Sequence, residues 1–382
     1  MISNFDVLRY DRRFVYNPRI SFDNSGYLPN NPYVFDIITG RDFISMNSFK
    51  YVCHKNVNQE EAIQIFTSID LPIPKKILRY SNKKNYENLL DSLAQKGEIF
   101  ILQYAHSQKE VKSENCYVDS SIVNYLSDKS NLSKLVDTKY VPKKIPHDSN
   151  RNTILPCVIK SKDGKPTAGG YGVQVCQNRD DFEKALNYFG NSNYFIEEYI
   201  YSVKNFCLQF FCDENGTITY IGATDQIIDK TGTHKGNIIR HERVIDDKIV
   251  DEGYSIMRKA YLSGYYGYAG FDVLIDIENY FYFIDLNFRL NASTTPLLLK
   301  DYVKEVFGKK NSLLGTFYFE KNSYQELLQH IRLSIDNKMF IPLSIWNPEN
   351  YFQKTPTSCI GMIMFDHDYE IEKIKKIFLN PT

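Results

Sequence analysis

Two hydrophobic periods alternate along the chain. Near the N-terminus the short apolar runs "YVFDII" and "EIFILQYA" read as strands. They are interleaved with helical-period segments, "NQEEAIQIFTSI" opening at an Asn58 cap and "YENLLDSLAQKG" closing at Gly97. Such alternation predicts an α/β layer domain over residues 1–118. The polar, proline-broken stretch "SIVNYLSDKSNLSKLVDTKYVPKKIPHDSN" then marks entry into a second unit. It continues with "PCVIKS", the glycine-rich turn "KDGKPTAGGYG", "VQVCQ", a helix from Asp180 or Asp181 and the strand "YFIEEYI", which together make a hairpin, a helix and a strand.

"NFCLQFFCDENGTITYIGATDQII" reads as a hairpin turning on Asn-Gly, followed by a polar loop, "DKTGTHKGNIIRHE". "DEGYSIMRKAYLSGYYG" is helical up to its glycines, and "YAGFDVLIDIENYFYFIDLN" is a second pair of strands. A helix starts at the capping box Ser323 to Glu326 and runs to about Ile335, and the remainder is a small α/β tail.

The second strand pair carries the chemistry. A turn centred on Glu278 and Asn279 would set Asp285 opposite Asp272, with Asn287 and Arg289 continuing the same face. Facing carboxylates about 5 Å apart repel, so a cation between them is expected. Two carboxylates and an amide oxygen suit Mg²⁺, which completes its shell with water and substrate phosphates. Arg289 could hold a phosphate or carboxylate in a bidentate manner. The plainer alternative is a surface ion pair between Asp285 and Arg289 beside a solvated Asp272.

Lys160 ends the buried side of an apolar strand and calls for an anionic partner. Glu197 and Glu198 interrupt another strand, either as ligands of ribose and adenine or as ordinary strand-end charges. The glycine turn lacks G-K-[ST] and is followed by a strand, so it is neither a Walker A loop nor a dinucleotide fingerprint. A phosphate-covering hairpin lid and a plain mobile hairpin both remain open.

Composition removes several function classes. In 382 residues, 46 basic side chains balance 46 acidic ones, so no global field draws in nucleic acid or anionic lipid. The charged N-terminus and the lack of an 18-residue apolar run predict a soluble, cytoplasmic protein that neither enters a membrane nor binds nucleic acid. Seven scattered cysteines without C-x-x-C predict reduced, mostly buried thiols. Seven histidines without H-x-x-x-H argue against zinc.

Taken in order, "SDKSNLSKLV", "PCVIKS" with its glycine turn, "YFIEEYI", "NFCLQFFCDENGTITYIGATDQ", "GYAGFDVLID" and "FYFIDLNFRLNAST" resemble the ATP-grasp superfamily over residues 121–291. The resemblance implies two α+β subdomains sandwiching ATP over residues 119–310, a small one at about 125–200 and a large one at about 201–310. An α/β domain over 1–118 would precede them, and 311–382 would complete the large subdomain. By position, Lys129 and Lys160 would hold the α- and β-phosphates, and Gly169, Gly170 and Gly172 would form the lid. Glu197, Glu198 and Ile200 would receive adenine and ribose. Asp272, Asp285 and Asn287 would ligate two Mg²⁺ ions, with Mn²⁺ as an alternative, and Arg289 would meet the transferred phosphoryl group. Asp225, Gln226, His234, Lys235 and Gly236 become substrate-side candidates. The implied reaction is an ATP-dependent amide synthesis from a carboxylate and an amine, both small molecules or peptides, through an acyl phosphate. A kinase on the same fold and a non-catalytic nucleotide-binding protein are the alternatives, and a homodimer is one expected assembly.

Overall fold

The computed structural model describes residues 13–23, 27–28, 32–146, 153–162, 170–229, 232–319 and 323–379. Four parallel strands form the first sheet: β1 (Phe14–Asn17), β2 (Lys50–His54), β3 (Lys76–Tyr80) and β4 (Ile99–Leu102), in the order β3-β2-β1-β4. Helices Glu60–Ser68 and Lys83–Gln95 make the crossovers that parallel strands require. "YVFDII" is the helix Tyr33–Ile37 rather than a strand. It is buried on most sides, and a short apolar run has no periodicity to separate the two states. Nor does Asn58 cap the next helix. Its φ is +43°, and its side chain is committed to the carbonyls of Gly40 and Leu343 and to the N–H of Ile345.

A small antiparallel sheet follows, β5 (Lys144–Ile145), β6 (Cys157–Ser161), β7 (Val173–Cys176) and β8 (Tyr194–Glu198), in the order β5-β8-β6-β7. Helix Arg179–Phe189 packs on it through Phe182, Ala185 and Phe189, capped by the side chain of Asn178 on the N–H of Asp181. Asp180 and Asp181 therefore lie in its first turn, where acidic side chains complement the helix dipole.

The large sheet has eight strands: β9 (Ser202–Cys212), β10 (Ile218–Ile228), β11 (His234–Arg240), β12 (Gly267–Asp276), β13 (Phe281–Asn287), β14 (Asn311–Phe319), β15 (Phe340–Trp346) and β16 (Thr357–Phe365). Their order is β13-β12-β9-β10-β11-β14-β16-β15. The stretch expected as a polar loop contributes β11, which pairs with β10 on one side and β14 on the other. Its alternation is masked because Gly236 offers no side chain to read. A Cβ there would lie 2.2 Å from the carbonyl oxygen of Leu314, so the close approach of β14 demands glycine.

Strands β14 to β16 share a core with the N-terminal sheet, in which Tyr16, Phe43 and Tyr51 pack with Leu343, Ile345 and Trp346. Hydrogen bonds join the two layers at the end of β15, from the N–H of Asn58 to Ile345 O (2.9 Å) and from the N–H of Asn347 to Asn56 O (2.9 Å). The N-terminal domain is thereby fixed against the large sheet. All seven cysteines are unpaired thiols, six of them buried. Among the described residues no helix is long and apolar enough to cross a membrane.

Candidate active site

Asp272 and Asp285 are direct partners across β12 and β13. Two deviations from the simple hairpin produce that pairing. The loop holds three residues, Ile277 to Asn279, with Ile275 opposite Phe281, one step out of the expected register. A bulge at Ile284 then restores it, because Val273 faces Phe283 while Asp272 faces Asp285. The bulge also exchanges the two faces of the strand. Phe281 and Phe283 point into the core before it, Leu286 and Phe288 after it, so Asp285, Asn287 and Arg289 all emerge on the cleft side.

Cations crowd this pair. Lys129, in the short helical turn Lys129–Asn131, sits 2.8 Å from Asp285 Oδ1. Lys160 on β6 is 5% exposed, ion-paired with buried Glu197 and donating to the bulge carbonyl of Ile284 at 2.8 Å. Burial and the carboxylate of Asp285 opposite push the Asp272 carboxyl up to about 7. Burial acts upward on Asp285 too, but Lys129, Lys160 and Arg289 hold its carboxyl below the usual range. Burial also raises Glu197, against the pull of Lys160. The two aspartates thus divide one negative site, one favouring its charge and the other resisting it.

Two clefts meet over the pair, and Lys129, Gly170, Gln226, His234, Asp272 and Asp285 line both. The first, about 1210 Å³, runs between the small and large sheets past Lys160, Glu198, Ile200 and Leu274. The second, about 1080 Å³, reaches the N-terminal domain past Arg41, Tyr104, Arg289 and Ser293. Each can take a small-molecule ligand.

The structure gathers most of the expected residues here. Glu197 is committed to Lys160, and Glu198 accepts from the N–H of Lys143 at 2.8 Å. Gln226 donates to Asp272 (2.9 Å), and His234 Nε2 lies 2.8 Å from Asn237 Oδ1. Asn287 donates weakly to Asp285 at 3.5 Å. Asp225 and Lys235 stand outside both clefts. Strand alternation turns Asp225 away from Gln226 and onto Arg240 and Arg243, while Lys235 pairs with Asp229 at the surface. Gly236 serves strand packing. Gly170 lines both clefts, Gly172 lines neither and accepts at its carbonyl from the N–H of Ser161 (2.9 Å), and Gly169 lies outside the described residues. Arg41, Tyr104, Asn237 and Ser293 escaped the sequence argument. The first two come from the N-terminal domain, and the polar loop assignment hid Asn237.

The family model for the ATP-grasp domain of L-aspartate–L-methionine ligase matches residues 138–287, and the model for the N-terminal domain of that ligase matches residues 9–124. The chain belongs to the ATP-grasp carboxylate–amine ligases. Among solved structures it is similar to N5-carboxyaminoimidazole synthetase from Staphylococcus aureus with ADP, at 12% identity and a TM-score of 0.62 over 96% of this chain and 97% of that one. The biotin carboxylase domain dimer of Hydrogenobacter thermophilus 2-oxoglutarate carboxylase, with MgADP, ADP and bicarbonate, matches at 12% identity and a TM-score of 0.54, over 92% and 86% of the two chains. These likenesses show the fold, an ATP-grasp unit behind an α/β domain. Among curated proteins, biotin carboxylase 2 of Bacillus subtilis is 24% identical over 154 residues, 36% of this chain and 32% of that protein. The first of the curated relatives, a 2-oxoglutarate carboxylase small subunit from Hydrogenobacter thermophilus, is matched over 30% of its length.

Proposed function

We propose that the protein couples ATP hydrolysis to amide formation between L-aspartate and L-methionine through an acyl phosphate. One observation carries this reading: two clefts converge on Asp272 and Asp285, where Lys129, Lys160 and Arg289 supply positive charge. The two amino acids come from the matching ligase models.

The donor set fits Mg²⁺. Two carboxylates face each other with an amide beside them, and among the described residues no larger cluster of His, Cys, Asp or Glu closes around the place. That leaves coordination positions for water and phosphate oxygens. Asp272, Asp285 and Asn287 would hold the metal, two ions in our reading, with Mn²⁺ as a substitute. When bound, it neutralises phosphate charge during phosphoryl transfer.

The side chains of the protein do the rest. Lys129 and Lys160, now resting on Asp285 and Glu197, would exchange these carboxylates for phosphate oxygens. Arg289 would orient the attacking carboxylate oxygen in line with the γ-phosphate, with loss of ADP. The amine then attacks the acyl carbon, phosphate leaves, and one proton is lost to solvent or base. Glu198 and Ile200, with Glu197 behind them, would border the adenosine, and Gly169, Gly170 and Gly172 would cover the phosphates. The reading also takes residues 1–118 as one domain and 119–310 with 311–382 as the catalytic unit. A homodimer is the proposed assembly, and light scattering on the purified chain decides it.

The activity test is ADP release with L-aspartate, L-methionine and MgATP, with mass spectrometry of the product. The expected outcome is equal amounts of ADP, phosphate and dipeptide, and a hydroxamate when hydroxylamine replaces the amine. A phosphorylated product with no free phosphate would establish a kinase instead.

A further inference from the structure

Arg41 is a buried cation that the phosphate chemistry does not use. It follows the turn Ile38–Gly40 and is 6% exposed. The backbone there is pressed tight, since a Cβ on Gly40 would lie 2.5 Å from Asn58 Nδ2 and Val57 Cγ1. The neighbouring Asp42 is its ion-pair partner, 3.6 Å from Arg41 Nε and beyond hydrogen-bond range. Its oxygens are already taken by Thr295 Oγ1 (2.9 Å) and Tyr16 OH (3.2 Å). Arg41 Nε and Nη2 are consequently buried with no hydrogen-bond acceptor among the described residues. Such orphaned N–H groups are costly, and a fork of this kind matches a carboxylate.

Arg41 lines the second cleft, which Asp272 and Asp285 also line. Arg289 lies over the ring of Tyr104, 5.0 Å from its centroid, and Tyr104 is also an electrostatic neighbour of Arg41. Two arginines from different domains thus line one cavity with Tyr104, an arrangement that suits a ligand with two negative ends. His234 sits in the same cavity, kept neutral first by burial and further by the charge of Arg41, so it adds no third cation.

We propose that Arg41 binds the carboxylate of the acid substrate that is not phosphorylated, which makes the N-terminal domain the selector of an acidic side chain. This rests on the ligase activity proposed above. Arg289 takes the reacting carboxylate at the metal end of the cleft, and Arg41 holds the other end.

The test compares wild type, Arg41→Lys and Arg41→Gln as full chains. Initial rates of ADP release are measured while L-aspartate, L-asparagine, L-methionine and MgATP are varied in turn. Arg41→Lys retains the buried charge but loses the fork, so it remains informative if Arg41→Gln does not fold. The expected result is a rise in KM for L-aspartate of about tenfold or more in Arg41→Lys, with KM for L-methionine and MgATP within about threefold of wild type. In Arg41→Gln the preference for aspartate over asparagine should fall by a similar factor or more. Replacing L-methionine by its amide should leave the Arg41→Lys defect intact.

An unchanged KM for aspartate in Arg41→Lys overturns the proposal. So does a defect that falls on methionine and vanishes with methioninamide, which would assign Arg41 to the carboxylate of the amine substrate. If wild type makes no amide from any acid and amine, the proposed activity fails by itself. Calorimetric titration of wild type and Arg41→Lys with L-aspartate and L-asparagine then still decides Arg41: weaker aspartate binding by Arg41→Lys supports it, and equal binding refutes it.

Discussion

Lys160 and Glu197 show how the fold keeps two opposite charges buried together. Both side chains are almost fully buried, and each is the other's counter-ion. Removing one partner of such a pair leaves an uncompensated buried charge, at a cost of about 3–5 kcal/mol. Glu197→Gln is therefore expected to lower the thermal midpoint markedly, and MgATP should raise that midpoint more than it does in wild type, because phosphate oxygens replace the lost carboxylate. A variant that melts like wild type would remove the argument. Asp285→Asn tests the other end of the site. It keeps the shape but halves the paired negative charge, and ADP release should fall by about 10² to 10³. Near-normal turnover in Asp285→Asn would exclude Asp285 from the proposed metal site. Lys160 was legible in the sequence as a lysine closing an apolar strand. Its partner was visible as a charge but not as a contact, since Glu197 lies on a different strand, β8, and only the pairing of β6 with β8 brings them together.

At the scale of elements, the β12–β13 hairpin carries the main lesson. Strict alternation from a two-residue turn leads to the right pair by a route the strand does not follow. The longer turn shifts the register by one and the bulge at Ile284 shifts it back. The signal is present in the chain, because Phe281 and Phe283 occupy odd positions and Leu286, Phe288 and Leu290 even ones, so the apolar phase breaks at Ile284–Asp285. Strand β11 shows the opposite case, where lysine and glycine obscure a central strand. Its neighbour β14 leaves no room for a side chain at Gly236, whose φ of +159° also disfavours one. Gly236→Ala should destabilise the fold by about 2 kcal/mol or more. Urea unfolding measures this directly, and a midpoint equal to that of wild type would mean β14 can move aside. His234 and Asn237 line the second cleft on the same strand, so the variant should also weaken substrate binding.

Across the whole molecule, buried histidines couple stability to pH. Burial lowers the pKa of His54, His106 and His330, which are therefore held neutral in the folded chain. Below the ordinary histidine value of about 6.5 the unfolded chain binds protons that the folded one refuses. Stability is thus complete above that pH and is lost as pH falls, by up to about 1.4 kcal/mol per pH unit for each histidine. Unfolding midpoints between pH 7.5 and 5.5 should show this slope, and His106→Asn should reduce it. The Asp272 carboxyl, raised to about 7, works in the opposite sense over this range, so the test is the difference between the two profiles: identical slopes in wild type and His106→Asn would contradict the burial of that ring. The same scale explains what could be known in advance. The amphipathic periods, the capping box at Ser323, the Asn-Gly hairpin and the order of Lys160, Asp272, Asp285, Asn287 and Arg289 are local or near-local, so the sequence by itself determined the fold class and one wall of the site. Contacts between distant segments are set by how sheets dock, which no local period encodes. Only the tertiary structure could bring Arg41 and Tyr104 of the N-terminal domain into one cavity with Arg289.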